Sequence, residues 1–266
     1  MQKEDQILLD TCNIAIRAGK KVLEFYDLDN DIIFKEDQSP LTKADLESNK
    51  IIQKSLSKIN PNIPILSEEA YVEWKVRKHW TNYWLIDPLD GTKEFIKKNG
   101  EFTINIALIE NNKPVIGIIY APFLGNLFFS KKNSGAYKIN TRNNLNTLQY
   151  AIKLNVDNTE KEKVIIIGSR SHSNSDFDKW IKNNFNNYEI IQKGSSLKFC
   201  EIAEGNADLY PRFGPTSEWD IAAGHIILEE AGGKLKSLDN KDLVYNKKGD
   251  ILNPSFFAYA KSSLLE

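Results

Sequence analysis

Trp84-Leu85-Ile86-Asp87-Pro88-Leu89-Asp90-Gly91-Thr92 decides how this chain is read. Three apolar residues lead into Asp87, so a strand delivers a carboxylate at its carboxyl end; Pro88 is expected to stop the strand, and Gly91 and Thr92 to begin a helix. Two carboxylates thus meet a helix N-terminus. The N–H groups and dipole there favour a phosphate, which the aspartates repel unless cations lie between them. Hard oxygen ligands with no histidine cluster favour Mg²⁺ over Zn²⁺.

Two further acidic segments resemble the first in placement. Ser67-Glu68-Glu69 follows the apolar Ile65-Leu66, again setting a carboxylate at a strand end, and Glu218-Trp219-Asp220 precedes an apolar helix, with Asp220 expected at or near its N-cap. Taken singly, each has a plain structural reading as a turn or a cap. Together they point to a two-metal carboxylate site clamping a phosphoryl group, with metals roughly 3.5–4 Å apart. The spacing also separates the motif from the Asp-x-Asp-Gly-Thr of haloacid-dehalogenase phosphatases. Here it is one residue longer, which turns the first carboxylate away from covalent attack and favours direct attack by water.

Around these segments the pattern has two parts. Helices are predicted over residues 3–26 and 44–59, a polar loop over 36–40, and short strands over 64–66, 83–87, 103–110, 113–120, 127–130 and 136–139, with Asn111-Asn112 as a hairpin turn. That describes helices on a largely antiparallel sheet. Beyond the polar stretch 155–163 the pattern alternates: strands over 164–167, 188–191 and 207–210, helices over 177–183, 197–204 and 221–231. The expected division is an α+β lobe, 1–155, carrying most metal ligands, and an α/β lobe, 156–266, with substrate-binding elements.

Composition excludes several functions. Lys+Arg number 35 against 36 for Asp+Glu in 266 residues, so the basic excess of a nucleic-acid binder is missing and any basic site is local. Cys12 and Cys200 are too few for a disulfide framework or a four-cysteine zinc site, which points to a reducing, cytoplasmic address. The first ten residues mix charges with Ile7 to Leu9 and imply no export. Residues 115–129, the most apolar long stretch, contain Pro122 and fall short of the ~20 residues that span a bilayer. His79 and His225 have no partners at metal spacing, and no Walker loop, Rossmann fingerprint, Gly-x-Ser-x-Gly or His-Glu-x-x-His occurs.

The ordered set Glu68-Glu69, 87–92 and Trp219-Asp220-Ile-Ala-Ala-Gly224 resembles the inositol monophosphatase superfamily of Mg²⁺-dependent, lithium-sensitive phosphatases. Segments 39–45, 93–103, 194–200 and 209–215 are similar to its bacterial 3′(2′),5′-bisphosphate nucleotidases, which extends the resemblance over residues 5–260. It implies an α/β (α+β) fold, a layered α/β/α/β/α sandwich, and hydrolysis of adenosine 3′,5′-bisphosphate to AMP and phosphate in sulfate assimilation. It implies that Glu68, Asp87, Asp90 and Asp220, with the Leu89 carbonyl, ligate two or three Mg²⁺, and that Li⁺ inhibits by replacing a loosely held ion. Asp45 and Thr92 would orient the attacking water, assisted by Glu68 or Glu69. The reacting phosphate would lie among Glu68, Leu89, Asp90, Gly91, Thr92 and Asp220. Ser195, Lys198 and Arg212 would hold the other phosphate or the ribose, Arg212 bidentately, and His172 would stack on adenine. The resemblance implies a small-molecule substrate, no nucleic acid, no obligatory protein partner, a monomer or homodimer, and an address compatible with weak attachment to the inner membrane face. An inositol or fructose-bisphosphate phosphatase on the same scaffold is the enzyme alternative; a catalytically silent metal- or nucleotide-binding regulator is the other.

Overall fold

The computed structural model describes residues 3–28, 32–35, 40–143, 150–170 and 175–265. Helix α1 (Lys3–Tyr26) buries a stripe of Ile14, Ala15, Ala18 and Val22. A two-stranded ribbon, β1 (Ile33–Phe34) with β2 (Pro40–Leu41), leads to α2 (Lys43–Ile59). Thr42 caps α2, and Asp45, three residues on, accepts the Thr42 N–H in return. The catalytic candidate Asp45 is therefore also half of a capping box. Apart from Pro40, the loop expected at 36–40 lies outside the described residues.

The larger sheet has the order β3 (Ile65–Ser67), β4 (Asn82–Asp90), β5 (Thr103–Glu110), β6 (Lys113–Ala121), β7 (Asn126–Lys131), β8 (Ala136–Asn140), β9 (Ile152–Lys153). It is antiparallel except for the β3–β4 pair. Helix α3 (Trp74–Arg77) lies between β3 and β4, and α4 (Thr92–Ile96) between β4 and β5. Asn111 and Asn112 take φ of 50° and 65°, the left-handed pair that a two-residue hairpin needs.

Pro88 does not end its strand. β4 runs on to Asp90, with a register shift between Asp87 and Asp90. Proline donates no ladder hydrogen bond, so it fits at an irregularity of this kind. The shift also has a chemical consequence. Residues three apart on a regular strand point to opposite faces, and the irregularity returns Asp90 to the side that Asp87 faces.

The second sheet has the order β11 (Tyr188–Lys193), β10 (Val164–Ser169), β12 (Leu209–Arg212), β14 (Phe256–Tyr259), β13 (Lys234–Ser237). The sequence pattern does not predict the last two strands, four residues each. Helices α5 (Ser175–Asn184), α6 (Leu197–Ala203) and α7 (Glu218–Glu230) complete the fold. Adjacent residues of β14 show the layering. Phe256 stacks on Phe199 of α6, while Phe257 points the other way onto Trp180 of α5. The layers are thus α1/α2, the seven-stranded sheet, α6/α7, the five-stranded sheet and α5. Among the described residues no helix is long and apolar enough to cross a membrane.

Helix α7 is buried almost all round, as a helix between two sheets must be. It starts earlier than expected, at Glu218, with Ser217 as its cap; Asp220 is the third helical residue and accepts the Ser217 N–H. The helix approaches β6 at Gly117, where a Cβ would stand 2.3 Å from Ile226 Cγ2 and 2.6 Å from the Ala223 carbonyl oxygen. Gly117→Ala is expected to lower unfolding free energy by about 1–3 kcal/mol. A denaturant midpoint equal to wild type would show that α7 can back away.

Candidate active site

The carboxyl end of β3, the irregular end of β4, the first turns of α4 and α7, and loop 194–196 converge on one cavity of about 230 Å³. Glu68, Asp87, Leu89, Asp90, Gly91, Thr92, Ser195, Lys198, Arg212 and Asp220 all line it. Two other predicted residues stand apart. Asp45 does not line the cavity but accepts the Thr92 hydroxyl at Oδ1, 3.1 Å away, and His172 lies outside the described residues.

Each carboxylate is aimed by its own set of partners. Asp87, 1% exposed, accepts the Leu89 N–H at Oδ1 across the strand irregularity. Asp90 Oδ2 receives three donors: Ser196 N–H at 2.7 Å, Ser195 Oγ at 2.9 Å and Asn105 Nδ2 at 3.2 Å. Glu68 meets the Lys35 ammonium at 2.6 Å, and the same ammonium contacts Glu69 at 2.6 Å. Among the described residues no three His, Cys, Asp or Glu side chains are gathered as a preformed metal cage.

The electrostatics nonetheless call for a cation. Burial, then the charges of Glu68, Asp90 and Asp220, hold the Asp87 carboxyl well above the usual carboxylate range. Burial and the Asp90 and Glu68 charges do the same to Asp220. Burial raises Asp90 too, against the pull of Lys198. Asp87 and Asp220 thus report unbalanced negative charge in a desolvated space. Oxygen donors of this kind suit a hard divalent ion, so the residues fit Mg²⁺.

The substrate-side candidates differ from solvated surface residues. Lys198 is only 7% exposed, its ammonium donating to the Ser195 carbonyl at 2.6 Å, and burial pushes its pKa down to about 8. Arg212 donates from Nε to Gly214 O and from Nη2 to Pro215 O. Those bonds fix the guanidinium plane and engage two of its five N–H donors. Helix α4 has five residues, with Gly91 as its left-handed cap (φ 87°); its dipole is correspondingly short.

Sequence reading missed Lys35, Thr103, Asn105 and Ser196. The last three are buried polar residues around Asp90, and the available signal was a pair of polar side chains inside an otherwise apolar strand.

This is the fold and the carboxylate arrangement of a phosphatase, and the chain belongs to the inositol monophosphatase family, whose profile matches residues 4–264. It is 40% identical over 252 residues to the 3′(2′),5′-bisphosphate nucleotidase CysQ of Escherichia coli (strain K12), covering 94% of this chain and 98% of that one. The CysQ nucleotidase of Buchnera aphidicola is also 40% identical, over 253 residues, covering 94% and 92%. Among solved structures, CysQ from Bacteroides thetaiotaomicron, a bacterial member of the same family, superposes with a TM-score of 0.84 at 39% identity, covering 97% of this chain and 98% of that one. The suhB protein of Bartonella henselae, at 23% identity and a TM-score of 0.79 over 98% and 96% of the two chains, shares the fold.

Proposed function

We propose that this protein is a metal-dependent 3′(2′),5′-bisphosphate nucleotidase that hydrolyses adenosine 3′,5′-bisphosphate to AMP and phosphate, serving sulfate assimilation in the cytoplasm. The observation that carries the reading is a single cavity with carboxylates on one wall and a buried lysine, Lys198, on the other. The first set suits a metal-bound reacting phosphate. The second suits a further anionic group, which an inositol monophosphate lacks.

Glu68, Asp87, Asp90, Asp220 and the Leu89 carbonyl would hold Mg²⁺, two or three ions in all, with Li⁺ displacing one of them. When bound, the metal polarises phosphoryl oxygens and lowers the pKa of water. The chain's own groups then orient the reactants. The Thr92 hydroxyl donates to ionised Asp45 Oδ1, so its lone pairs can accept a hydrogen bond from the attacking water, whose proton would pass to Thr92 as Thr92 passes its own to Asp45. Lys198 holds the non-reacting phosphate by a charge-assisted hydrogen bond, with Ser195 and Arg212 beside it. We assign the metal-binding wall chiefly to residues 1–155 and the substrate-binding wall to residues 156–266.

Asp45 ties this mechanism to pH. Burial, opposed by hydrogen bonds from Thr42, pushes its pKa up to about 6. Its carboxyl stabilises the fold in acid, a contribution lost as pH rises through about 6, whereas catalysis needs the ionised form found above that value. The kcat profile should therefore fall on the acid side of about pH 6, and Asp45→Asn should be slower and lack that limb. An unchanged limb in the variant removes Asp45 from the water-orienting role.

Phosphate release from adenosine 3′,5′-bisphosphate and inositol 1-phosphate, measured side by side with Mg²⁺, EDTA and Li⁺, tests the function. A Mg²⁺-dependent, Li⁺-sensitive preference for the nucleotide is expected. Preference for the inositol ester overturns the substrate assignment.

A further inference from the structure

The segment Glu101-Phe102-Thr103-Ile104-Asn105-Ile106 alternates polar and apolar residues, the pattern of a strand with one wet face. Both faces are in fact occupied. Phe102, Ile104 and Ile106 join the core beneath α1 and α2, while Thr103 and Asn105 are 0% and 1% exposed on the opposite side. That side meets loop 194–196.

The contacts run in register. Glu101 accepts the Gly194 N–H at 2.8 Å and pairs both its oxygens with Arg170, at 2.6 and 2.9 Å. Thr103 Oγ1 stands within hydrogen-bond distance of the hydroxyls of Ser195 and Ser196 and of Asn105 Oδ1; with those serines donating to Asp90 and Asn105, its single proton serves one of the three at a time. Asn105 accepts the Ser196 hydroxyl at 2.7 Å and donates to Asp90. The approach leaves no room at Gly194, where a Cβ would stand 2.8 Å from the Glu101 carbonyl oxygen. Ser195 is held at φ 55°, a conformation a serine rarely keeps without such support. From that position it bonds Asp90 through its hydroxyl and Lys198 through its carbonyl.

We infer that Thr103 and Asn105, with Glu101 at the solvent edge, are positioning residues that register loop 194–196 against Asp90. The spacing between the metal-binding wall and the Lys198 wall is thereby set by one strand. This rests on the roles proposed above for Asp90 and Lys198. By giving Asp90 Oδ2 one donor from Asn105 and bracing the loop that gives the other two, the row holds the carboxylate in one orientation toward the cavity. By bracing Ser195, it fixes where the Lys198 ammonium sits.

The test compares Thr103→Val, which keeps shape but loses the hydroxyl, with Thr103→Ser, which keeps the hydroxyl. Mg²⁺ binding is read by calorimetry on the full chain without substrate, and kcat and KM are read with adenosine 3′,5′-bisphosphate. Thr103→Val should weaken Mg²⁺ binding about 10-fold and raise KM by a similar factor, within the range seen when groups that orient metal ligands are removed. Thr103→Ser should stay within about twofold of wild type. Wild-type constants in Thr103→Val overturn the proposal, and equal losses in both variants would reduce Thr103 to a packing residue. Glu101→Ala, at the edge where folding is least at stake, should move both constants the same way; wild-type values there count against the proposal equally. If wild type turns over no nucleotide, the functional reading fails, while the calorimetric comparison still decides the positioning role.

Discussion

Asp87→Asn is expected to lower kcat by on the order of 10³-fold and, in the absence of metal, to make the protein harder to unfold. The two effects have one cause. Asp87 is almost fully buried beside Glu68, Asp90 and Asp220, so its negative charge is unfavourable until a cation offsets it. Asparagine has the same shape and can keep the hydrogen bond that Oδ1 accepts from Leu89 N–H, so the strand irregularity survives. Removing the charge relieves the metal-free protein. It also removes the proposed metal ligand, and several kcal/mol of transition-state charge stabilisation amount to about three powers of ten in rate. Thermal unfolding in EDTA should therefore shift upward, while the further stabilisation that Mg²⁺ gives wild type should shrink. Near wild-type turnover in saturating Mg²⁺, or a variant that unfolds more easily in EDTA, would sink the assignment of Asp87 as a ligand.

Lys198→Met should reduce kcat/KM for adenosine 3′,5′-bisphosphate by about 10- to 150-fold, the equivalent of one hydrogen bond between charged groups. Methionine fills the space of the lysine stem without its charge. Hydrolysis of a monophosphate such as inositol 1-phosphate should suffer far less, because that substrate has no second phosphate for Lys198 to hold. The pKa of about 8 adds a signature: KM for the bisphosphate should climb above about pH 8 in wild type as the ammonium loses its proton. Equal losses on both substrates would show that Lys198 supports the fold of loop 194–196, whose Ser195 carbonyl it bonds, rather than the second phosphate.

The family and the principal acids were legible in the chain because each acid follows or opens a regular element, and the signals for those elements are local. Asp87 and Asp90 flank a proline after an apolar run; Glu68 follows a short strand; Asp220 lies in the first turn of an apolar helix. The helices α1 and α2 emerge from periodicity, and the Asn111-Asn112 turn from residues that tolerate a left-handed backbone. The continuation of β4 through Pro88 was not legible, since a proline ordinarily argues against a central strand and only pairing with β5 shows where the ladder resumes. Lys35, 33 residues before Glu68, gives no local sign that its ammonium will cap that carboxylate.

The sequence by itself determined the family and the candidate acids, since ordered local motifs suffice for these, and the layered α/β architecture followed from the family resemblance. Tertiary structure alone decided how Glu68 and Asp90 are aimed. Asp90 is oriented by Asn105, 15 residues on in the chain, and by Ser195 and Ser196, 105 and 106 residues on, and Thr103 joins that network only because the two sheets pack α6 and α7 between them. A hydrogen bond across such a distance leaves no periodic trace in either segment. What records it is the burial of polar side chains that water would otherwise satisfy.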